Sequence, residues 1–291
     1  MNSSHVVEMN NVFFSYSKNS SVAPVLRGIS FHVKRGEIFG MLGPSGAGKT
    51  TILKILTNQV CGIEGSAFTF GKSSESISTK DYEKIGILME DSGSYERLRV
   101  YDNLLLFARI HDIKRDTIDE LLNWVQLSDA RDKRVSTLSK GMRQRLLLSK
   151  SLLHNPELVF LDEPTNGLDP TTAASIHKLF FDLKKEGTTL FVTTHNMEEA
   201  SKLCDRIILL DNGRIVESGN PKEICNRHND INTIRILCND GKEINVPNSE
   251  ESAKIVYTLL ANNNVLSIHS SEPDLGAVFM KLTGKELECD H

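Results

Sequence analysis

One glycine-rich segment, GPSGAGKT at residues 43–50, limits the possible folds of this chain more than any other feature. It follows the short apolar run IFGML and precedes TILKIL, whose apolar residues recur at helical spacing. A short, continuous apolar run is typical of a parallel strand that is buried on both faces. The chain is therefore expected to contain a strand–loop–helix unit within a mainly parallel sheet that helices cover.

The same segment matches the pattern G-x-x-x-x-G-K-[ST], which predicts a phosphate-binding loop. Its glycines let backbone N–H groups approach phosphate oxygens without clashes from a Cβ atom. Lys49 is expected to reach the β- and γ-phosphates, and the Thr50 hydroxyl is expected to ligate Mg²⁺. The residues predicted to bind the nucleotide are Gly43, Pro44, Ser45, Gly46, Ala47, Gly48, Lys49, Thr50 and Thr51. A glycine-rich turn without a ligand is the alternative, and the strand–loop–helix context disfavours it.

Two further apolar runs, LVFLDE and TLFVTTH, end in polar residues that suit phosphate chemistry. The carboxyl ends of parallel strands form the edge of the sheet where ligands bind. Asp162 is therefore predicted to hold Mg²⁺, Glu163 to orient and polarise an attacking water, and His195 to contact the γ-phosphate. With Lys49, the last two make up the predicted catalytic set. The alternatives are two acids that only mark a strand end, and a structural histidine.

A second candidate phosphate site lies at LSKGM, residues 138–142, ahead of the helical pattern RLLLSKSLL. A Ser-x-Gly ahead of a helix leaves free backbone N–H groups at the helix start, and these attract anions. A chain that already has a phosphate-binding loop almost a hundred residues earlier needs a separate reason for this second site.

The segments GPSGAGKT, LSKGM, LVFLDEP and GLD and the strand-end histidine, in this order, resemble the ATP-binding cassette (ABC) family of transporter ATPases over about residues 6–225. The resemblance implies ATP and Mg²⁺ as ligands, hydrolysis by in-line attack of water, and a second cassette, identical or related, that meets this one head to tail. Ser139 and Gly141 would then hold the γ-phosphate of the ATP bound to the partner cassette. Tyr16 is implied to stack on adenine, with a position in the strand core as the alternative. Asp169 is implied to lie at the seam between the cassettes.

The chain departs from the family pattern at two places. The usual signature is L-S-G-G-Q, whereas Lys140 and Met142 stand here in place of a glycine and the glutamine. Lys140 either adds positive charge near the triphosphate or faces solvent. After the strand pattern IGILM, Glu90 stands where the family usually has a glutamine, and it is expected to ligate Mg²⁺ as a hard oxygen donor.

Residues 90–104 and the C-terminal segment resemble the ATPases of ABC-2 type exporters, a branch that includes drug-resistance and bacteriocin self-immunity systems. This resemblance implies export of a drug, peptide or lipid-like compound through a separate multi-span membrane permease. The permease would hold the chain at the cytoplasmic face of the cell membrane. No apolar run approaches the roughly 18–20 residues that span a bilayer, which agrees with a permease on another polypeptide.

Two other classes of nucleotide-binding protein are the alternatives. A non-transport ABC ATPase of DNA repair or translation would be expected to carry a coiled-coil insertion, a second cassette or a basic face. The net charge of −4 indicates that nucleic acid is not a partner. A small-molecule kinase would explain the phosphate-binding loop but leaves LSKGM, GLDP and His195 without a role.

The expected fold class is α/β: a P-loop NTPase core with a mainly parallel sheet, an antiparallel β flank and a helical insert at about residues 99–151. Asn212-Gly213 between two strand patterns predicts a hairpin. The cassette is predicted to cover residues 1–226. Residues 227–291 are predicted to form a small α+β domain that ends in a closing helix, DLGAVFMKLTGKEL.

Overall fold

The structure is a computed structural model that describes residues 5–17, 23–89, 93–229, 233–270 and 273–285. The strands are β1 (His5–Phe14), β2 (Leu26–Lys34), β3 (Ile38–Leu42), β4 (Glu64–Thr69), β5 (Lys72–Ser73), β6 (Ile85–Leu88), β7 (Leu158–Asp162), β8 (Thr189–Thr194), β9 (Arg206–Asp211), β10 (Arg214–Gly219), β11 (Thr233–Leu237), β12 (Glu243–Pro247) and β13 (Ser267–Ser270). The helices are α1 (Lys49–Leu56), α2 (Thr79–Tyr82), α3 (Val100–Ile110), α4 (Arg115–Trp124), α5 (Lys140–Leu152), α6 (Pro170–Lys185), α7 (Met197–Leu203), α8 (Pro221–Arg227), α9 (Glu250–Ala261) and α10 (Leu275–Thr283).

The central sheet has the strand order β10-β9-β3-β8-β7-β6. The strands β9, β3, β8, β7 and β6 run parallel, while β10 pairs antiparallel with β9 through the predicted hairpin at Asn212-Gly213. Every residue of β3, β7 and β8 is buried, because both faces of these strands are covered. The predicted mainly parallel sheet is confirmed, and the carboxyl ends of β3, β8 and β7 lie side by side at one edge.

The two faces of the central sheet have different coverings. Successive residues of a strand point to opposite faces. Phe39 and Met41 of β3 lie in a buried cluster with the antiparallel sheet β2-β1-β4-β5 and α1. Ile38 and Leu42 lie in a second buried cluster with residues of α3 to α7. The antiparallel β flank that the sequence predicts is therefore confirmed.

The residues after α8 separate into two parts. The strands β11, β12 and β13 form a small sheet of order β12-β11-β13, which shares a minor core around Ile236 with α9. The closing helix α10, which the prediction grouped with this sheet, packs instead against α7 and α8, and Phe279 lies in the main buried cluster. Lys285 adds an ion pair to Asp211 of β9 at 2.8 Å. The structure thus puts α10 on the cassette. The domain boundary near residue 226 stays a prediction.

Phe279→Ala is expected to lower the free energy of unfolding of the cassette by about 3–5 kcal/mol, because it removes a fully buried aromatic ring and leaves a cavity. Urea unfolding followed by the fluorescence of Trp124 in α4, the single tryptophan of the chain, measures this change. Met280→Ala on the same helix is the matched control, because Met280 is 43% exposed. The control is expected to change the free energy of unfolding by less than about 0.5 kcal/mol. Equal effects of the two variants would contradict the packing of α10 on the cassette core.

Candidate functional site

The phosphate-binding loop (residues 43–50) connects β3 to the first turn of α1. A Cβ atom at Gly43 would lie 2.2 Å from the carbonyl oxygen of Leu210, so only glycine fits where the loop passes β9. Gly46 has φ +79°, and a Cβ atom built there would meet nothing within 4 Å. The loop is thus packed tightly against the sheet at one end and faces open space in its middle. Its backbone N–H groups can receive an anion there.

Lys49 lies at the base of this loop, where 7% of the residue is exposed. Its Nζ atom donates hydrogen bonds to the carbonyl oxygens of Gly43 at 2.6 Å and Pro44 at 3.3 Å. It also forms an ion pair with Glu163 Oε1 at 3.2 Å. A phosphate group that enters the loop can replace this carboxylate as the partner of the ammonium group.

Thr50 and Asp162 bring hard oxygen donors together beside the loop. The Thr50 hydroxyl donates to Asp162 Oδ2 at 2.9 Å, and the Thr193 hydroxyl donates to Asp162 Oδ1. Magnesium prefers such oxygens and usually takes one or two protein ligands, with substrate phosphates and waters completing its shell. No group of three or more His, Cys, Asp or Glu residues is arranged to hold a metal in the described parts of the chain. The donor set therefore fits Mg²⁺, while Glu90, the third expected ligand, lies outside the described residues and stays a prediction.

Glu163 connects the two catalytic candidates that flank it. Its backbone has φ +47°, a left-handed conformation that is rare for glutamate. Hydrogen bonds from its N–H group to the carbonyl oxygen of Thr193 at 3.1 Å and to the hydroxyl of Thr193 at 3.2 Å hold this conformation. Its Oε1 faces Lys49, and its Oε2 lies 3.0 Å from His195 Nδ1. A carboxylate held in this way can accept a hydrogen bond from a water molecule and orient it.

Tyr16 lies beyond the end of β1 and is 60% exposed, so it does not occupy the strand core. Its hydroxyl lies 3.2 Å from Thr51 Oγ1 in the first turn of α1. The rings of Tyr16 and Phe14 pack edge to face, with their centroids 4.9 Å apart. The ring therefore stands beside the phosphate-binding loop with most of its surface available for stacking.

The signature segment (residues 138–142) lies apart from the phosphate-binding loop. Ser139 is the N-cap of α5, where its hydroxyl accepts a hydrogen bond from Met142 N at 3.3 Å. A Cβ atom at Gly141 would lie 2.7 Å from Thr172 Cγ2, so glycine permits close contact between α5 and α6. Among the described residues, no hydrogen bond or ion pair joins Ser139 or Gly141 to the loop. The predicted second phosphate site is thus at a different place on the same chain.

Asp169 is the N-cap of α6, and its Oδ1 accepts a hydrogen bond from Thr172 N at 3.0 Å. Hydrogen bonding to Thr172 lowers the pKa of the Asp169 carboxyl. Lys140 lies over Gly167, where its Nζ is 2.1 Å from the position of a Cβ atom at that glycine. Lys140 therefore extends over the turn before α6 in its own chain, rather than only into solvent.

Sequence reasoning missed two contributors to this edge of the sheet. Thr193 supports both Asp162 and Glu163, and its signal was a hydroxyl at the carboxyl end of a buried strand, next to that of Thr194. Glu199 is buried behind the site, and nothing in the local pattern MEEA sets it apart from a surface acid.

The sequence is similar to that of several exporter subunits. Residues 26–166 match the family described as ABC transporter. The chain is 37% identical to the fluoroquinolones export ATP-binding protein of Mycobacterium tuberculosis (strain ATCC 25618 / H37Rv), over 97% of this chain and 94% of that protein. It is 32% identical to the Nod factor export ATP-binding protein I of Rhizobium sp. (strain N33), over 91% of this chain and 93% of that protein.

Solved structures show the same architecture. The cbiO1 protein of Clostridium perfringens, part of an ABC transporter complex, aligns with a TM-score of 0.68 and 29% identity over 76% of this chain and 90% of its own. A dimeric ATP-binding cassette in a post-hydrolysis state, bound to ADP and Pi, aligns with a TM-score of 0.66 and 25% identity over 74% of this chain and 98% of its own.

The fold and the site define a P-loop ATPase built on a nucleotide-binding cassette. The chain belongs to the ABC transporter family, in which it is an ATP-binding and ATP-hydrolysing subunit. No helix in the described parts of the chain is both long and apolar enough to cross a membrane.

Lys49→Ala is expected to lower kcat for ATP hydrolysis by at least about 10²-fold, because it removes the cation at the base of the phosphate-binding loop. Phosphate release by the purified chain with ATP and Mg²⁺ measures this loss. Lys54→Ala, a change in the last turn of the same helix, is the matched control and should leave kcat near the wild-type value. Near-normal hydrolysis by Lys49→Ala would contradict the assignment of this loop as the reaction site.

Proposed function

We propose that this chain powers an exporter: two cassettes close on two ATP molecules and drive a separate membrane permease. The observation that carries the proposal is that the two predicted phosphate-binding segments, the phosphate-binding loop and the signature segment, lie at separate places on one chain. The phosphate-binding loop lies at the carboxyl edge of the central sheet, whereas Ser139 begins α5 and Gly141 packs on α6. In a head-to-tail pair, the signature segment of one cassette reaches the ATP held by the loop of the other.

Export as the direction of transport is supported by the relatives. The relatives named above are, by their names, export ATP-binding proteins for fluoroquinolones and for Nod factor, and a further one confers linearmycin resistance in Bacillus subtilis. Each is matched along more than nine-tenths of this chain. A drug, peptide or lipid-like compound is accordingly the proposed cargo class.

The side chains at the carboxyl edge have different roles in hydrolysis. Lys49 binds the β- and γ-phosphates, and Thr50 and Asp162 would hold Mg²⁺, which neutralises phosphate charge when bound. Glu163 accepts a hydrogen bond from the attacking water and aligns it with the γ-phosphate. His195 contacts the γ-phosphate from the end of β8.

The contacts among the side chains of the site indicate how binding would prepare the reaction. Lys49, Glu163 and His195 form a continuous chain of contacts, with separations of 3.2 and 3.0 Å between successive groups. When the γ-phosphate takes Lys49 as its partner, Oε1 of Glu163 loses its ion pair. That oxygen is then available to a water molecule on the far side of the phosphate.

The adenine ring has a matching surface at Tyr16. The exposed tyrosine stands beside Thr51, one residue beyond the loop, which is where a base lies when its phosphates occupy the loop. Stacking on an aromatic face contributes about 1–3 kcal/mol per base in other nucleotide complexes.

A permease-contacting surface is proposed along α3. Tyr95, Leu106 and Ile110 are 59%, 36% and 74% exposed, and Tyr95 is held beside α3 by a hydrogen bond from its N–H group to Asn103 Oδ1 at 2.8 Å. An exposed apolar strip of this kind is typical of a protein contact surface. Through the permease, the chain would be held at the cytoplasmic face of the membrane.

The same surface is connected to the signature helix. Glu96 forms an ion pair with Arg143 of α5 at 2.9 Å. The backbone of Glu96 accepts a hydrogen bond from Ser136 N at 3.0 Å. A displacement of this surface by the permease would therefore move the start of α5, which carries Ser139.

The two rival functions explain less of the structure. A non-transport ABC ATPase would be expected to have relatives outside transport, whereas the relatives named above are export and resistance proteins. A small-molecule kinase gives the signature segment no role.

Glu163→Gln should trap an ATP-bound pair, because the nucleotide still bridges the cassettes while water is no longer activated. Size-exclusion chromatography with light scattering should show a mass near 32.5 kDa without nucleotide and about twice that value with ATP and Mg²⁺. Glu157→Gln is the matched control, because Glu157 precedes β7 at its opposite end and pairs with Arg35 and Lys84.

Adding Ser139→Glu to the Glu163→Gln variant should return the protein to a monomer, because a carboxylate at the signature segment repels the γ-phosphate of the partner. A Glu163→Gln protein that binds ATP and stays monomeric would count against the paired arrangement.

Arg97→Glu is expected to reduce transport while leaving basal ATP hydrolysis unchanged, because Arg97 is exposed next to the α3 surface and outside the catalytic edge. Transport by the cassette reconstituted with its permease in vesicles, alongside hydrolysis by the isolated chain, measures the two effects. Lys222→Glu, a change of another exposed cation, on α8, is the control. Unchanged transport in Arg97→Glu would show that this surface does not contact the permease.

A further inference from the structure

Glu199 is a buried carboxylate in the first turn of α7 that accepts hydrogen bonds from three side chains. Its Oε1 accepts from the Thr165 hydroxyl and from His177 Nε2, the latter at 2.5 Å. Its Oε2 accepts from the Thr194 hydroxyl at 3.1 Å. These donors come from the segment after β7, from α6 and from the end of β8. Glu199 therefore joins three elements that meet behind the catalytic edge.

The positions of two donors relate Glu199 to the candidate catalytic residues. Thr165 lies two residues after Glu163, and Thr194 directly precedes His195. On the nucleotide side, Glu163 Oε2 and His195 Nδ1 are 3.0 Å apart. The two backbone segments that carry these residues are thus held together from the opposite side by one carboxylate.

The carboxylate is itself firmly held. Asn196, the N-cap of α7, accepts a hydrogen bond from Glu199 N at 2.9 Å and donates one from its own N–H group to Thr194 Oγ1 at 3.0 Å. Burial alone raises the pKa of Glu199, but hydrogen bonds from His177 and Thr165 outweigh it, so that the pKa lies below its usual range. An ionised carboxylate only accepts hydrogen bonds, which fixes the direction of all three donors.

We propose that Glu199 is a positioning residue for ATP hydrolysis, which sets the separation between Glu163 and His195 through Thr165 and Thr194. The proposal rests on the roles proposed above for Glu163 and His195. Glu199 acts through these neighbours, and its oxygens bind side chains of the chain rather than phosphate.

The alternative is a purely structural role, in which Glu199 only fastens α7 to α6 through His177. A structural role predicts that substitution lowers stability and weakens nucleotide binding along with activity. A positioning role predicts a fall in kcat with an unchanged KM for ATP, because the loop that binds the phosphates is intact. The ratio of the two kinetic effects therefore separates the alternatives.

Glu199→Gln keeps the shape of the side chain and one acceptor oxygen. Its NH₂ group, however, replaces the other acceptor with two donors, which face side chains that themselves donate to Glu199. We expect kcat of the full chain to fall by about 10- to 100-fold, since small misplacements of reacting groups have effects of this size. Glu198→Gln is the matched control, because Glu198 is the preceding residue of the same helix and pairs with Lys202 at its exposed surface, at 2.6 Å. The control should keep the wild-type kcat and KM.

Thr165→Val tests the path of the effect, because it removes one donor and leaves the carboxylate in place. This variant should lower kcat in the same direction, with ATP affinity retained. In the double variant with Glu199→Gln, the two losses should be strongly non-additive, since both remove the same connection. Fully additive losses would contradict action through Thr165.

The outcomes distinguish this proposal from the proposed function. Wild-type kcat in a folded Glu199→Gln protein would overturn the positioning role, as would a rise in KM that accounts for the whole loss. Were Glu199→Gln to unfold, wild-type kcat in Thr165→Val would overturn the proposal by itself. An inactive wild-type chain would count against the proposed function instead.

Discussion

The alignment of β8 between β3 and β7 is the constraint on which the site depends. Thr193 of β8 lies beside Met41 of β3 on one side and beside Asp162 of β7 on the other. This register aligns the carboxyl ends of the three neighbouring strands. The phosphate-binding loop, Glu163 and His195 follow these ends and therefore lie at the same edge of the sheet. A slip of one residue would turn Thr193 away from Asp162 and send every apolar side chain of β8 to the opposite face.

The charges at this edge are paired with one another. Lys49 is held by two carbonyl oxygens and Glu163, and Asp162 is held by the hydroxyls of Thr50 and Thr193. An unpaired buried charge is strongly destabilising, so these contacts stabilise the charged groups of the edge. In the proposed function, binding would exchange one set of partners for another, which would let this edge accept a highly charged ligand.

Local patterns were enough to predict the sheet class, the phosphate-binding loop and the Asn212-Gly213 hairpin, because each depends on residues close together in sequence. Features that depend on long-range packing were not predictable in this way. An amphipathic helix such as α10 shows that one face is buried but not which surface covers it. Glu199 has the sequence context of a surface acid, and only the fold brings donors from three distant elements to it.

The segment of residues 163–172 connects the phosphate-binding loop to the signature segment, the two predicted phosphate-binding segments of the chain. It begins at Glu163, is fastened by Thr165 to Glu199, and ends at Thr172, which packs against Gly141 of the signature segment. In the proposed pair, a change at the γ-phosphate that moves Glu163 would therefore pass along a continuous path to the surface that faces the partner cassette. In the proposed head-to-tail pair each chain would have this path, so the state of one ATP would affect the binding of the other. Close-packed contacts transmit small displacements, because there is no empty space to absorb them. A small shift of Thr172 against Gly141 would therefore be enough for this coupling.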